Sequence, residues 1–365
     1  MMKKWISVAG VVVLAFAVQV QAAGTLSEAI ELTASRLVQE QVGFPSATEG
    51  SGTWQGEEWA TGSISLGLVS AYERTGSAAY MAASLLSRYY IGNQNLGSKG
   101  DAGYALVRFD DIKPDPWYIK PVEDFYAFVA SEQYGGTAGY IVQYADLDPS
   151  MSVLYLAHHV LAAYRVEAAE KTVWREGLLT LLSAVDDSSA FPVQALACAT
   201  WALATIGPLE NSLVDPSATP ASYWYLKRVS DLPRLLLDHQ VPEGEVDAGS
   251  FFWKFDHLGG GTHDATVVSG YTEDCAFAIL ALLAVQKQYQ TAQQKGDAVL
   301  QVGFSLSELE SAIARVREVA IGAVRFDGSV LAHVSFPQGG GNIPLHVFAG
   351  ELLHALCAID EYESQ

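Results

Sequence analysis

Residues 275–286 read CAFAILALLAVQ, twelve residues without a charge, a glycine or a proline. A helix that is apolar on every side must be buried on every side. Residues 193–206 (VQALACATWALATI) and 347–359 (VFAGELLHALCAI) have the same character, and 58–74 and 152–164 are nearly as apolar. The stretch from Ser188 to Leu209 is long enough to span a bilayer. Pro192, Gln194, Thr200 and Thr205 dilute it and no positive residue flanks it closely, so it reads as another buried helix.

Between these segments lie helices of a second kind. In 305–320, Leu306, Leu309, Ile313, Val316 and Ala320 recur every three or four residues, with Glu308, Glu310, Arg315, Arg317 and Glu318 between them. That spacing gives one apolar face and one solvated face. Segments 26–41 (Ile30, Ala34, Leu37, Val38, Gln41) and 168–184 (Val173, Trp174, Leu178, Leu181, Leu182) behave alike. The two kinds alternate: 26–41 then 58–74, 78–92 then 150–165, 168–184 then 190–206, 231–240 then 271–289, 305–321 then 344–362. A half-buried helix followed by a fully buried one, five times, predicts an all-α toroid of five to six helical hairpins with outer and inner rings. Residues 93–149 are too long for a simple connection and are expected to be an insertion or a degenerate sixth hairpin, with 121–135 their best helical segment. The expected organisation is one toroid domain over residues 23–365.

Gly and usually an aromatic follow several outer helices: Gln41 then GTW at 52–54, Gln240 then GSFFW at 249–253, and FDGSVLAHV at 326–334. This pattern resembles the terpenoid-cyclase and prenyltransferase repeats, in which a Gln, a Gly and a Trp close each outer helix. It equally resembles the six-hairpin glycosidases and the toroidal polysaccharide lyases. Trp253 lies farther from Gln240 and Gly244 than the cyclase repeat wants. The chain also has no DxDD or DDxxD cluster, so cyclase chemistry does not carry over.

The N-terminus carries an export pattern. Lys3 and Lys4 precede an apolar run from Trp5 to Val18, and Val20-Gln21-Ala22 is a small-x-Ala cleavage site. Residues 1–22 are therefore expected to be a signal peptide, leaving a periplasmic or extracellular protein without a membrane anchor. The formal charge is −20, which repels nucleic acid and anionic surfaces and weighs against polyuronate substrates. Cys198, Cys275 and Cys357 sit in apolar helices without CxxC spacing and read as small buried hydrophobes. No P-loop, GxSxG, HExxH or dinucleotide fingerprint is present.

In a toroid the shared funnel is lined by the N-termini of inner helices and the loops before them. Three groups fall there. Trp54, Glu57, Glu58 and Trp59 precede the first buried helix, and an acid beside aromatic platforms suits a sugar ring. Tyr271, Glu273 and Asp274 open another buried helix, with Thr272 as its N-cap. Both acid pairs equally suit a first-turn helix dipole. At matching repeat positions they are expected to face each other as catalytic carboxylates, with Trp54, Trp59, Trp253, Tyr271 and His346 binding substrate. The third group, Asp256, His257, His263 and Asp264, lies in the Gly-rich loop 254–270, expected to act as a lid. It permits a divalent cation site at unusual spacing, although no cofactor is otherwise indicated. His354, His158 and His159 read as core histidines, and a buried Glu351 needs a partner or a raised pKa.

The expected function is a secreted glycan hydrolase acting on a neutral or weakly charged glycan. The alternatives are a polysaccharide lyase, with Tyr271 and His257 or His263, and a non-catalytic toroid that binds a glycan or a protein.

Overall fold

The computed structural model describes residues 22–45, 51–93, 100–131, 135–256, 268–295, 303–334 and 345–365. The regular elements among them are helices, joined by isolated β-bridges. In chain order they are α1 (Leu26–Glu40), α2 (Thr61–Thr75), α3 (Ala78–Asn93), α4 (Gly100–Ile112), α5 (Pro116–Val129), α6 (Gly136–Ile141), α7 (Pro149–Arg165), α8 (Lys171–Ser183), α9 (Pro192–Ile206), α10 (Leu232–Asp238), α11 (Thr272–Lys295), α12 (Leu306–Gly322) and α13 (His346–Glu363).

Six of these close a ring: α2 packs on α4, α4 on α7, α7 on α9, α9 on α11, α11 on α13, and α13 back on α2. The helices α1, α3, α5, α8, α10 and α12 pack outside them. This is the expected α/α toroid. No helix among the described residues is long and apolar enough to cross a membrane, and 193–206 forms α9, with Pro192 through Ala204 buried.

One pairing read from the sequence is corrected. The helix at 78–92 does not pair with 150–165, because α4 and α5 intervene: α3 packs on α2, α4 is the next inner helix in chain order, and α5 precedes α7 on the outer ring. The inner helix α4 escaped notice because Asp101, Arg108, Asp110 and Asp111 break its apolar run. Arg108 leaves the core at its C-terminal end and pairs with Glu73 at 2.7 Å and Asp111 at 3.1 Å.

The loops after α1, α10 and α12 share one backbone register. The Val42 N–H donates to the Thr53 carbonyl, and the Gly52 N–H donates back to Val42. Val241 with Ser250 and Gly249, and Arg325 with Ser329 and Gly328, repeat the pattern. The glycines have φ of +93°, +88° and +78°, conformations that side chains resist. A Cβ on Gly52 would stand 2.3 Å from the Leu86 carbonyl of α3, and one on Gly328 the same distance from the Leu32 carbonyl of α1. Gln41 and Gln240 donate to Ala83 and Ala312 on the neighbouring outer helices, both at 2.9 Å. The glycine equivalent to Gly52 is thus Gly249, and the aromatic equivalent to Trp54 is Phe251. The sequence reading, which measured from Gly244 to Trp253, was misaligned by these insertions.

Inner helices approach closely at glycines. A Cβ on Gly67 would meet the Gly350 carbonyl at 2.3 Å, and one on Gly350 would meet the Ile64 Cα at 2.5 Å, so α2 and α13 touch backbone to backbone. A Cβ on Gly62 would lie 2.4 Å from Asp101 Oδ2, and one on Gly100 would lie 2.5 Å from the Tyr155 carbonyl.

Candidate active site

That close approach brings acids from three inner helices, and Ser63 from a fourth, into one line. Asp101, at the start of α4, accepts from the Ser63 backbone N–H of α2 at 3.1 Å and from its hydroxyl at 3.4 Å. The Glu351 carboxyl on α13 lies close enough to Ser63 and to Glu273, at the start of α11, for each to influence its charge. Asp101, Asp274 and Glu351 are buried, whereas Glu273 is partly exposed. Asp274 Oδ2 and Glu351 Oε2 have no hydrogen-bond partner within the protein.

Burial disfavours the ionised form of each of these acids. Glu273 is pushed up to about 7 by burial, tempered by the neighbouring Glu351 carboxyl. Glu351 is raised well above the ordinary carboxylate range by burial and by the Glu273 charge. Asp274 is raised well above it by burial and then by Glu273.

Three residues deeper on five of the helices, Tyr104, His158, Trp201, Phe277 and His354 pack ring to ring, with centroids 5.4–6.2 Å apart. They close the axis beneath the acids as an aromatic floor. His354 bonds the Ser70 hydroxyl at 2.8 Å and is pushed down to about 3 by burial. His159 bonds Tyr126 and Tyr144, both at 3.1 Å, and stacks on Trp174. These are core histidines, as their apolar helices suggest. The three cysteines are buried and unbridged.

Glu57 lies elsewhere. Its carboxylate accepts from the His346 N–H, the Val347 N–H and His346 Nδ1 at 2.9, 2.9 and 2.8 Å, so it caps α13. Burial alone would raise its pKa, but these hydrogen bonds outweigh it and hold Glu57 below its ordinary value. At α11 and α9 the equivalent contacts come from backbone carbonyls: Ala332 accepts from Thr272 N–H, and Trp253 accepts from Val193 N–H. Glu57 therefore occupies the capping position of the repeat. Glu58 is exposed and accepts from the Gly56 N–H at 3.1 Å.

The aromatic candidates divide in the same way. Trp54 is fully buried, its Nε1 donating to the Leu37 carbonyl at 2.9 Å, so no ring face is open to a sugar. Trp253 is buried against Phe191 and Tyr271. Trp59 is 53% exposed, and Tyr271 is partly exposed. His346 bridges Glu57 and Glu40, 2.8 and 2.7 Å away.

A cavity of about 460 Å³ opens between α1 and α13, lined by Arg36, Glu40, Gln55, Leu345 and His346 among others. Its charges are mutually paired, with Arg36 on Glu40 at 2.9 Å and His346 on Glu40.

Of the proposed cation ligands, Asp256 is exposed, and His257, His263 and Asp264 fall at 257–267, outside the described residues, as does most of the 254–270 loop. Among the described residues no group of three or more His, Cys, Asp or Glu is arranged to hold a metal ion.

Sequence reasoning found Glu273 and Asp274, noted Glu351 only as a buried acid, and missed Asp101 and Ser63. A signal for Asp101 existed in GDAG at 100–103, an acid among small residues that permit close helix contact.

No protein-family profile matches the chain, and no curated protein matches it. Solved structures do. An unsaturated glucuronyl hydrolase from Bacillus sp. GL1 is 15% identical, with 92% of this chain and 96% of that chain covered and a TM-score of 0.56. An unsaturated glucuronyl hydrolase specific for heparin is 12% identical, with coverages of 93% and 97% and a TM-score of 0.59. An α-1,6-mannanase from Salegentibacter sp. HEL1_6 is 13% identical, with coverages of 92% and 99% and a TM-score of 0.54. The likeness runs over nearly the whole of each chain, and the fold is the α/α toroid of these glycosidases.

Proposed function

We propose that this protein is a glycoside hydrolase acting on uncharged glycans. The observation that carries the reading is the axial line of carboxyls, in which the partly exposed Glu273 is pushed up to about 7 by burial. A glycosidase needs one carboxylic acid to protonate the leaving oxygen and a second carboxyl as base or nucleophile. Glu273 supplies the first, and Asp101, held by Ser63, supplies the second. As the glycosidic C–O bond breaks, its electron pair goes to the leaving oxygen, which takes the Glu273 proton. Water then provides the hydroxyl of the new reducing end and restores the proton. The neighbours add support: an α-1,6-mannanase variant with two consecutive aspartates replaced is described as inactive, in complex with α-1,6-mannotriose or α-1,6-mannotetrose. Here Glu273 and Asp274 are consecutive acids at the axis.

The substrate preference follows from charge. The six connections leading into the inner helices (41–60, 94–99, 130–148, 184–191, 239–271 and 323–345) contain fourteen acids and three bases, Lys99, Lys254 and Arg325. Lys254 is taken up by the Asp187 and Ser189 carbonyls, both at 2.7 Å. Such an excess of acids repels uronates and leaves neutral chains unopposed. Residues 1–22 are read as a cleaved export signal, placing the enzyme in the periplasm or outside the cell.

The test is a panel of neutral and uronic oligosaccharides assayed for new reducing ends and for absorbing unsaturated products. Release from neutral glycans, lost in Glu273→Gln and Asp101→Asn, is expected. Unsaturated products would identify a lyase, and binding without turnover would identify a non-catalytic toroid.

A further inference from the structure

The start of α13 is tied to the end of α1 through a histidine with a carboxylate on each side. His346 Nδ1 lies 2.8 Å from Glu57 Oε1, and its Nε2 lies 2.7 Å from Glu40 Oε2. A neutral imidazole has one N–H and one lone pair, so it meets only one carboxylate as a donor. Contact with two requires the imidazolium. The row continues outward with alternating sign: Glu40 pairs with Arg36 at 2.9 Å, and Arg36 pairs at 3.0 Å with Asp327 on the loop after α12. Of these five groups, His346 is the one whose charge changes near neutral pH. Other charges around α13 are engaged elsewhere. On the connection before α2, Glu58 bonds the Gly56 N–H. From α2 and α12, Arg74 and Arg317 reach Asp360 and Glu363 at the far end of α13. On α11, Glu273 acts on Asp274 and on Glu351, more than a turn beyond His346. Burial would lower the His346 pKa, but Glu57 and Glu40 outweigh burial and raise it above the ordinary 6.5.

The two contacts are unequal. Glu57 also accepts from the His346 and Val347 backbone N–H groups, and its side chain is 9% exposed. The Glu40 side chain is 38% exposed and has Arg36 as a second partner. When the imidazolium loses its proton, the remaining N–H therefore stays on Nδ1 with Glu57, and the Nε2 lone pair faces the Glu40 carboxylate. Two acceptors repel, so the contact to α1 is the one that opens. Glu40 and His346 both line the cavity of about 460 Å³ between α1 and α13. We propose that His346 is a pH-operated clamp: as an imidazolium it fastens the end of α1 to the start of α13, and on losing its proton it releases Glu40 and loosens that wall of the cavity. The clamp holds below the ordinary histidine value and lets go as pH rises through the folded value. It does not rest on the hydrolase reading.

The experiment titrates the histidines of the full chain by NMR, with His346→Gln assigning the His346 resonance. Beside it, hydrogen exchange is followed at the backbone amides of residues 37–40, the last turn of α1, corrected for the pH dependence of unprotected exchange. In the wild type His346 should titrate above 6.5. Exchange in that turn should quicken by about two- to fivefold across the same titration, the worth of a partly exposed ion pair. Glu40→Gln keeps the size of the side chain and removes its charge, so it should lower the His346 titration and abolish the step in exchange. A wild-type His346 that titrates at or below 6.5, a titration indifferent to Glu40→Gln, or exchange with no step at the His346 titration overturns the proposal. Should Glu40→Gln not fold, the wild-type titration and its exchange step decide by themselves.

Discussion

Glu57→Ala separates a cap from a catalyst. The carboxylate accepts two backbone N–H groups at the start of α13, His346 and Val347, each at 2.9 Å, and the His346 ring at 2.8 Å. Loss of a helix cap costs about 0.5–2 kcal/mol, and a hydrogen bond to a charged group contributes about 1.5–3 kcal/mol. These overlap, because the cap is made of such bonds, so about 2–3 kcal/mol in total is expected. At roughly 2 °C per kcal/mol for a chain of this size, the melting temperature should fall by about 4 °C or somewhat more. The sign with pH can also be read. Glu57 is depressed below its ordinary 4.5, so its contribution is present above that value and lost as pH falls. His346 is raised above its ordinary 6.5, so its contribution is present below that value and lost as pH rises through its folded value. The pair stabilises most between about pH 4.5 and 6.5, and Glu57→Ala should flatten the stability profile there. Thermal melts followed by circular dichroism measure this, alongside turnover at 25 °C by the folded protein. Turnover should survive. A loss of turnover of about 100-fold or more with an unchanged melting temperature would refute the cap assignment and return Glu57 to the chemistry.

Glu273→Gln should do the reverse, abolishing turnover of neutral glycans while leaving the melting temperature unchanged or higher at pH 8, since it removes a carboxyl that burial disfavours in its charged form. Because Glu273 is raised from 4.5 to about 7, its stabilising contribution is present below 4.5 and lost as pH rises through about 7; wild type should lose more stability than Glu273→Gln between pH 5 and 8, read from urea midpoints. Turnover that needs protonated Glu273 should decline above about pH 7, and a rate constant up to pH 9 would exclude it as the proton donor. Gly52→Ala should cost more than about 2 kcal/mol in denaturant unfolding, because φ is +93° and the Cβ would meet the Leu86 carbonyl. Gly56→Ala, at φ +80° with nothing within 4 Å, should cost only about 1 kcal/mol.

The ring was legible because burial on all sides leaves a compositional mark. Segments such as 275–286 have no polar face, and only an inner position accepts them. The helix α4 left no such mark, since Arg108, Asp110 and Asp111 reach the end of the barrel and pair there. A helix judged by its whole composition is misread when only one end is polar. The loops were harder. Gln41 and Gln240 were visible, but the register they anchor runs through backbone hydrogen bonds that tolerate insertion. Gly52 follows Gln41 by eleven residues and Gly249 follows Gln240 by nine. A search for fixed spacing therefore chose Gly244, whose added Cβ would meet nothing within 4 Å.

The site shows why acids at helix starts were only half informative. Spacing places Glu57 and Glu273 before or within the first turn of an inner helix, and both then suit a helix dipole. What separates them is which helix each one serves. Glu57 reaches to the adjacent inner helix and caps α13, because the loop after α1 lies over that helix just as the loops after α10 and α12 lie over α9 and α11. Glu273 has no such task, since the Ala332 carbonyl already takes the Thr272 N–H, and its carboxyl is left to Glu351. The partners that complete the axial line, Asp101 and Glu351, come from helices brought within backbone contact by Gly62, Gly67 and Gly350. The same small residues that let the ring close therefore crowd its carboxyls together. Burial in that dry wall, and not the neighbouring carboxyl, raises Glu273 into the range where a carboxyl can act as an acid near neutral pH.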